Sequence, residues 1–324
     1  MKTESDNALL AGKLRDRAPK PNRIKLPGAI TFKIDGASVK MELGHSCVKA
    51  NMQDNSSSFE GWALAIKRWL PEYQRIDLSW NFDEKQLKDV EKQHYQRFLF
   101  RVKHFASLFS WFSIAPSNRD ELNKLRTDTT PVQVVTAPKI KRPKGTKDSD
   151  IIDDLILNEH KLECFINERP EPLSTLFEIT QMDRQYPVGL FEGKVIKGSE
   201  IFPRGHSAID LWGTNKTGEL FLFELKARKN TPVGILSELF FYSYIMEGVQ
   251  QGRFTLQTPD SRISSTSKIR AYMLAPEWHP LIDTELLQIA NTAFKESGRQ
   301  IRFGAVRIVP KDLKVYKLEL QACD

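Results

Sequence analysis

The sequence predicts an α/β protein: a mixed β-sheet sandwiched by helices over residues 150–324, preceded by a smaller α+β domain over residues 28–115. Three observations carry that expectation. From residue 151 onward, apolar spacing alternates between helical and strand periods in the order helix, strands, helix, strand, helix, strands, a pattern that buries a sheet between helical layers. Near the start, Ile30, Phe32 and Ile34 alternate with polar residues, Asp35-Gly36 supplies a turn, and Val39, Met41 and Leu43 alternate on the return, as in a β-hairpin. Between these regions, residues 116–149 mix Pro116, Pro131, Pro138 and Pro143 with the basic run Lys139-Ile140-Lys141-Arg142-Pro143-Lys144, the composition of an interdomain linker.

The elements follow in order. Residues 1–27 are polar and basic, hold Pro19, Pro21 and Pro27, and read as a flexible basic tail. After the hairpin, Ser57-x-x-Glu60 reads as a capping box that opens a helix over Phe59–Leu70. Ile76–Trp80 predicts a strand. A long helix is expected from about Asp83 to Phe112, with Leu87, Val90, Tyr95, Phe98, Val102, Phe105 and Phe109 as its apolar stripe. Lys92, Arg97, Arg101 and Lys103 decorate its solvated or partner-facing side. Past the linker, Leu155, Leu162, Phe165 and Ile166 share one helical stripe. Thr231-Pro232 reads as the N-cap and first residue of a helix running to about Glu247. Lys268–Leu274 predicts a strand, Leu281–Ser297 a helix ended by Gly298, and Ile301–Val309 and Lys314–Leu320 the last two strands.

Composition narrows the class. The 324 residues are 27% charged and 40% hydrophobic, which suits a globular chain of about two domains. No apolar run approaches the roughly 18 residues of a membrane span, and the first residues lack a signal-peptide core. Cys47, Cys164 and Cys323 are scattered, which points to a reducing, cytoplasmic setting and no disulfide framework. The net charge of +7 is uneven. Residues 1–150 hold 27 Lys/Arg against 18 Asp/Glu, and residues 151–324 hold 21 against 23. The basic half is a candidate for capturing nucleic acid or an acidic partner, while a scatter of solubilising lysines is the plainer reading.

One stretch of the C-terminal half carries chemistry. Ser207-Ala208-Ile209-Asp210-Leu211-Trp212-Gly213, a turn over Thr214–Glu219, then Leu220-Phe221-Leu222-Phe223-Glu224-Leu225-Lys226 place three charged residues in two otherwise apolar strands. Folding at Thr217 sets residue 210 opposite residue 224, and directly opposed side chains lie about 5 Å apart at Cβ. Glu224 and Lys226, two apart, share a face. Two carboxylates about 4 Å apart repel by roughly 4 kcal/mol at an effective dielectric of about 20, a repulsion that a divalent cation removes. A surface ion pair at a strand end is the alternative.

The string Asp210-x13-Glu224-Leu225-Lys226 resembles the signature of the PD-(D/E)XK nuclease superfamily, with Ile209 where a proline usually stands. The resemblance covers about 151–275. It implies a restriction-endonuclease-like fold, Mg²⁺ as cofactor with Mn²⁺ as a substitute, and Asp210, Glu224 and the backbone carbonyl of Leu225 as ligands. It further implies a glutamate on the preceding helix, Glu163 with Glu159 in reserve, and Lys226 positioning water or phosphate. Glu238-x3-Tyr242 resembles the glutamine-x3-tyrosine motif of recombination-type members, although ordinary helix amphipathicity also explains it. His206, Arg204, Arg228, Lys229, Glu238 and Tyr242 are the candidate nucleic-acid contacts. The expected activity is hydrolysis of DNA phosphodiesters, in defence or DNA processing. The N-terminal domain would serve targeting or assembly, including a homo-oligomer or protein partner. A non-catalytic nucleic-acid-binding or scaffold subunit and an RNA nuclease remain alternatives. Gly189–Val195 is one residue short of a phosphate loop, and His160 with Cys164 has no second ligand pair for zinc.

Overall fold

In the computed structural model, residues 5–52, 54–82, 87–130, 132–136, 158–203, 207–227, 232–312 and 315–321 are described. The chain opens on helix α1 (Asp6–Arg17), where a flexible tail was expected. Ser5 caps its first turn, and Leu10 and Leu14 are fully buried. Asn7 reaches the hairpin, donating to the Ile30 carbonyl at 3.1 Å and accepting from the Phe32 N–H at 2.6 Å. Those two leucines four apart are the helical signal that the surrounding basic residues obscure.

The hairpin is as expected: β1 (Ile30–Asp35) and β2 (Ser38–Leu43) pair antiparallel, and Gly36 takes the positive φ of the turn. Helix α2 (Phe59–Trp69) follows, then β3 (Arg75–Trp80), α3 (Asp89–Leu108) and β4 (Phe112–Ile114). The four strands form one sheet in the order β1-β2-β3-β4. Helix α3 is shorter than the spacing predicts, because Phe112 leaves it to pair with Ile76 in β3. The capping box does not form. Ser58, not Ser57, stands at the N-cap of α2, and its hydroxyl donates to the Met52 and Asp54 carbonyls instead of accepting from the helix. Glu60 instead meets Arg101 of α3, whose Nε lies 2.8 Å from Oε1, and Ser57 gives its carbonyl to the same guanidinium at 2.7 Å. Arg97 and Arg101 were expected on a solvated or partner-facing side; both are buried. A buried guanidinium demands partners, and this one takes the groups that would have capped α2.

Residues 116–130 and 132–136 are structured, where linker was expected. Short helical turns at Pro116–Arg119 and Arg126–Thr129 lead to β5 (Gln133–Val135). The basic run at 139–144 lies outside the described residues. Next come α4 (Glu159–Glu168), α5 (Glu171–Phe177), β6 (Ile179–Pro187), β7 (Leu190–Glu192), β8 (Ala208–Asn215), β9 (Glu219–Leu225) and α6 (Ile235–Gln250). The chain continues through β10 (Thr255–Leu256), β11 (Lys268–Ala275), α7 (Thr284–Glu296), β12 (Ile301–Asp312) and β13 (Val315–Gln321). Strand β5 sits between β10 and β7 in a small sheet, so this stretch is tied to the C-terminal half.

The main sheet has the order β13-β12-β11-β9-β8-β6. Its centre is parallel, β9 with β11 and β11 with β12, while β8 and β6 on one side and β13 on the other run antiparallel. The molecule is therefore mixed α/β. Alternation along β9 fixes what each face holds. Phe221, Phe223 and Leu225 pack with Leu162, Phe165 and Ile166 of α4, and Leu220 and Leu222 pack toward α6. The α6 side shares one continuous apolar core with the N-terminal sheet and its helices. Gly61 of α2 marks how closely the parts meet: a Cβ there would sit 2.5 Å from the Val233 carbonyl oxygen just before α6. Among the described residues, no helix is long and apolar enough to cross a membrane.

Candidate metal centre

Strand pairing brings the charged residues together. Leu211 faces Phe223 and Thr214 faces Leu220, so the next rung sets Asp210 against Glu224. Asp210 Oδ2 accepts the Leu225 N–H at 2.8 Å, which locks the carboxylate across the end of β9. Lys226 donates its backbone N–H to the Leu274 carbonyl at 3.1 Å, holding its side chain on the α6 face beside Glu224. Lys226 Nζ then lies 2.6 Å from Glu224 Oε1, 3.2 Å from Glu238 Oε2 and 3.4 Å from Glu159 Oε1. One carboxylate oxygen from each of Glu159, Asp210 and Glu224 falls within 4.8 Å of the others.

Four carboxylates thus surround one ammonium. Burial, and then the neighbouring Asp210 and Glu238 carboxylates, raise the Glu224 carboxyl well above its ordinary value. Burial pushes Asp210 up to about 7, against the pull of Lys226 and the Leu225 N–H. Burial opposes the charge on Lys226, but Glu224, Glu238, Asp210 and Glu159 outweigh it and hold the amine charged far into the alkaline range. Glu224 Oε2 and the Tyr242 hydroxyl are buried with no hydrogen-bond partner among the described residues. An orphaned carboxylate oxygen inside an excess of negative charge is what a cation would satisfy.

A raised folded-state pKa makes the bound proton part of stability. With an ordinary value of 3.8 and a folded value of about 7, Asp210 contributes stability that is complete below about pH 4 and is lost as pH rises through about 7. The expected result is that Asp210→Asn melts progressively higher than the metal-free wild type as pH goes from about 4 to about 7. Melting temperature against pH for both proteins checks this; parallel curves would contradict it.

The structure sorts the sequence candidates. Glu159, not Glu163, joins the carboxylate group. Glu163 lies one turn further along α4, where Arg184 Nη1 meets it at 3.2 Å and Gln185 Nε2 at 2.9 Å. Glu163 still connects to the site, because Gln185 Nε2 also reaches Asp210 Oδ1 at 3.3 Å. Glu238 and Tyr242 were expected to touch nucleic acid. Both are fully buried on α6, with Glu238 against Lys226. Helix α6 is buried nearly all round, so amphipathicity does not explain that pair. His206, Arg204, Arg228 and Lys229 lie outside the described residues. Cys164 takes an N–H from Arg184 at 2.9 Å and lies 3.9 Å from His160.

Two residues were missed. Gln185 sits at the rung opposite Asp210 with a φ of 55°, a left-handed conformation that non-glycine residues seldom hold without a reason. Arg97 comes from α3 in the N-terminal part and is fully buried. Its guanidinium donates to Ser207 Oγ at the head of β8 and, at 3.0 Å, to Asn51 Oδ1. Burial and Arg101 lower its pKa to about 9, while Tyr242 and Glu238 hold it up. The N-terminal part therefore reaches the strand that carries Asp210. No protein-family model matches the chain, and no curated protein sequence matches it.

Proposed function

We propose that the protein is a Mg²⁺-dependent phosphodiesterase of the restriction-endonuclease-like fold that hydrolyses DNA. The observation that carries this reading is the convergence of Glu159, Asp210 and Glu224 within 4.8 Å, with Lys226 Nζ 2.6 Å from Glu224.

Glu159, Asp210 and Glu224 would hold the ion, and the resemblance adds the Leu225 carbonyl. The residues fit it chemically: hard oxygen donors, an excess of negative charge and an orphaned Glu224 oxygen. A bound divalent cation supplies a lowered water pKa and neutralises charge on a phosphate. The chain does the rest. The Leu225 N–H fixes the orientation of Asp210. Lys226, kept charged by its neighbours, positions a water or a phosphate oxygen rather than removing a proton. Glu238 holds Lys226 from the α6 side. The basic N-terminal half, defence or DNA processing as the setting, and a cytoplasmic location belong to the same proposal.

Incubation of the wild type with supercoiled, linear and single-stranded DNA, and with RNA, in Mg²⁺, Mn²⁺ or EDTA tests it. Cleavage of DNA that stops in EDTA is the expected result. Cleavage of RNA alone would move the substrate, and no cleavage of any substrate would reject the hydrolase.

A further inference from the structure

One cavity of the molecule lies away from the carboxylate group. It measures about 490 Å³, and its walls include His104, Glu247, Arg253, Thr266, Ser267 and Arg299. A second cavity of about 430 Å³ also has His104, Arg253 and Arg299 in its wall, so the two adjoin around the same three side chains. Thr266 and Ser267 precede β11, and Arg299 precedes β12. Because Lys268 pairs with Glu219 and Leu274 with Leu225, this is the opposite end of the parallel strands from Glu224 and Lys226. At about 3.3 Å per residue the two places are roughly 20 Å apart.

The chemistry of the wall selects an anion. A guanidinium carries a fork of N–H donors that pairs bidentately with the oxygens of a carboxylate or a phosphate. Among the described residues, Arg299 donates to Glu247, and Arg253 donates its Nε to Gln251 at 2.9 Å. Arg253 Nη2 also lies 3.6 Å from Glu247 Oε2, and the remaining N–H groups of the two forks make no hydrogen bond among the described residues. Among the described residues, Glu247 is the one carboxylate in the wall of the first cavity, and it is shared by the two arginines. Lys103, in the wall of the second cavity, is matched by Asp128 at 2.6 Å. The local charge balance is therefore positive. His104 registers the same field: burial, and then Arg299, Arg253 and Lys103, lower its pKa to about 3. Aromatic groups brace the wall, since His104 stacks on Tyr244 at 4.7 Å and Arg299 lies over that ring at 5.2 Å.

We propose that this cavity binds a phosphoryl group, at a site separate from the carboxylate centre. The phosphate comes either from a free phosphate or nucleotide or from a nucleic-acid backbone. The inference does not depend on the hydrolase reading, because its test uses no metal and reads no cleavage. Arg299→Ala would strip Glu247 of its closest cation and is expected to unfold the region, so the informative variant is Arg253→Gln, which keeps the Arg299–Glu247 pair.

Calorimetric titration of the full-length protein with inorganic phosphate, ATP and a short single-stranded DNA, in EDTA, decides it. Saturable binding that Arg253→Gln weakens about tenfold, and Asp210→Asn leaves unchanged, is expected. If phosphate or ATP shows this pattern the ligand is a small molecule; if the oligonucleotide alone shows it, the ligand is a backbone phosphate. Absence of binding by all three probes, equal binding by Arg253→Gln, or loss of binding in Asp210→Asn would overturn the proposal.

Discussion

Glu224→Gln is expected to lower Mg²⁺-dependent DNA cleavage by about a thousandfold while the chain stays folded. The amide keeps the shape of the side chain but removes a charged oxygen, and losing about 4 kcal/mol of charge stabilisation at a phosphate corresponds to that factor. Asp210→Asn should behave alike, since one Asp210 carboxylate oxygen lies within 4.8 Å of those of Glu159 and Glu224. The same assay separates the two glutamates of α4. Glu159→Gln should fall with the ligands, whereas Glu163→Gln, whose carboxylate is held by Arg184 and Gln185, should lose less. Equal activity of wild type and Glu224→Gln at saturating Mg²⁺ would contradict the assignment, and a larger loss in Glu163→Gln than in Glu159→Gln would reverse the choice between them. Circular dichroism of each variant shows that folding is intact.

Glu60→Ala should destabilise the protein by about 3–5 kcal/mol, the range for removing one partner of a buried ion pair and leaving its mate unpaired. Glu60 and Arg101 are both almost fully buried, and Glu60 Oε2 also accepts from Ser237 Oγ of α6 at 2.6 Å. The loss therefore falls where the N-terminal helices meet the helix that carries Glu238 and Tyr242. Urea denaturation measures it through the midpoint at unchanged slope. Replacing both charges, as in Glu60→Leu with Arg101→Met, should recover much of the loss, because no lone charge is then buried. A Glu60→Ala midpoint equal to wild type would show that the pair adds nothing to the union of the two parts.

The legible parts of the sequence were those in which local pattern and tertiary role agree. The Ile30–Leu43 hairpin, the strand pair that opposes residues 210 and 224, and the helix ended by Gly298 each follow from spacing and turn chemistry. Periodicity failed where burial is not signalled by apolar residues. Arg97 and Arg101 look like a solvated helix face, yet partners distant in sequence (Ser207, Asn51, Glu60) satisfy them inside the molecule. Strand β6 was not read because it lies at the sheet edge and alternates polar residues with few apolar ones. Without β6, Arg184 and Gln185 were missing from the picture, and Glu163 looked a better ligand than Glu159. Residues 133–135 read as linker because four prolines and a basic run share the stretch 116–149, although Val134 and Val135 carry the β-branched signal of a short strand.

Direct measurement of the ion tests the central claim best. Calorimetric titration of Mg²⁺ into metal-free protein at about pH 8, above the Asp210 transition, should give saturable binding by the wild type. That binding should be lost in Glu224→Gln and weakened in Glu159→Gln. Failure of the wild type to bind Mg²⁺ or Mn²⁺, or binding that Glu224→Gln leaves unchanged, would contradict it.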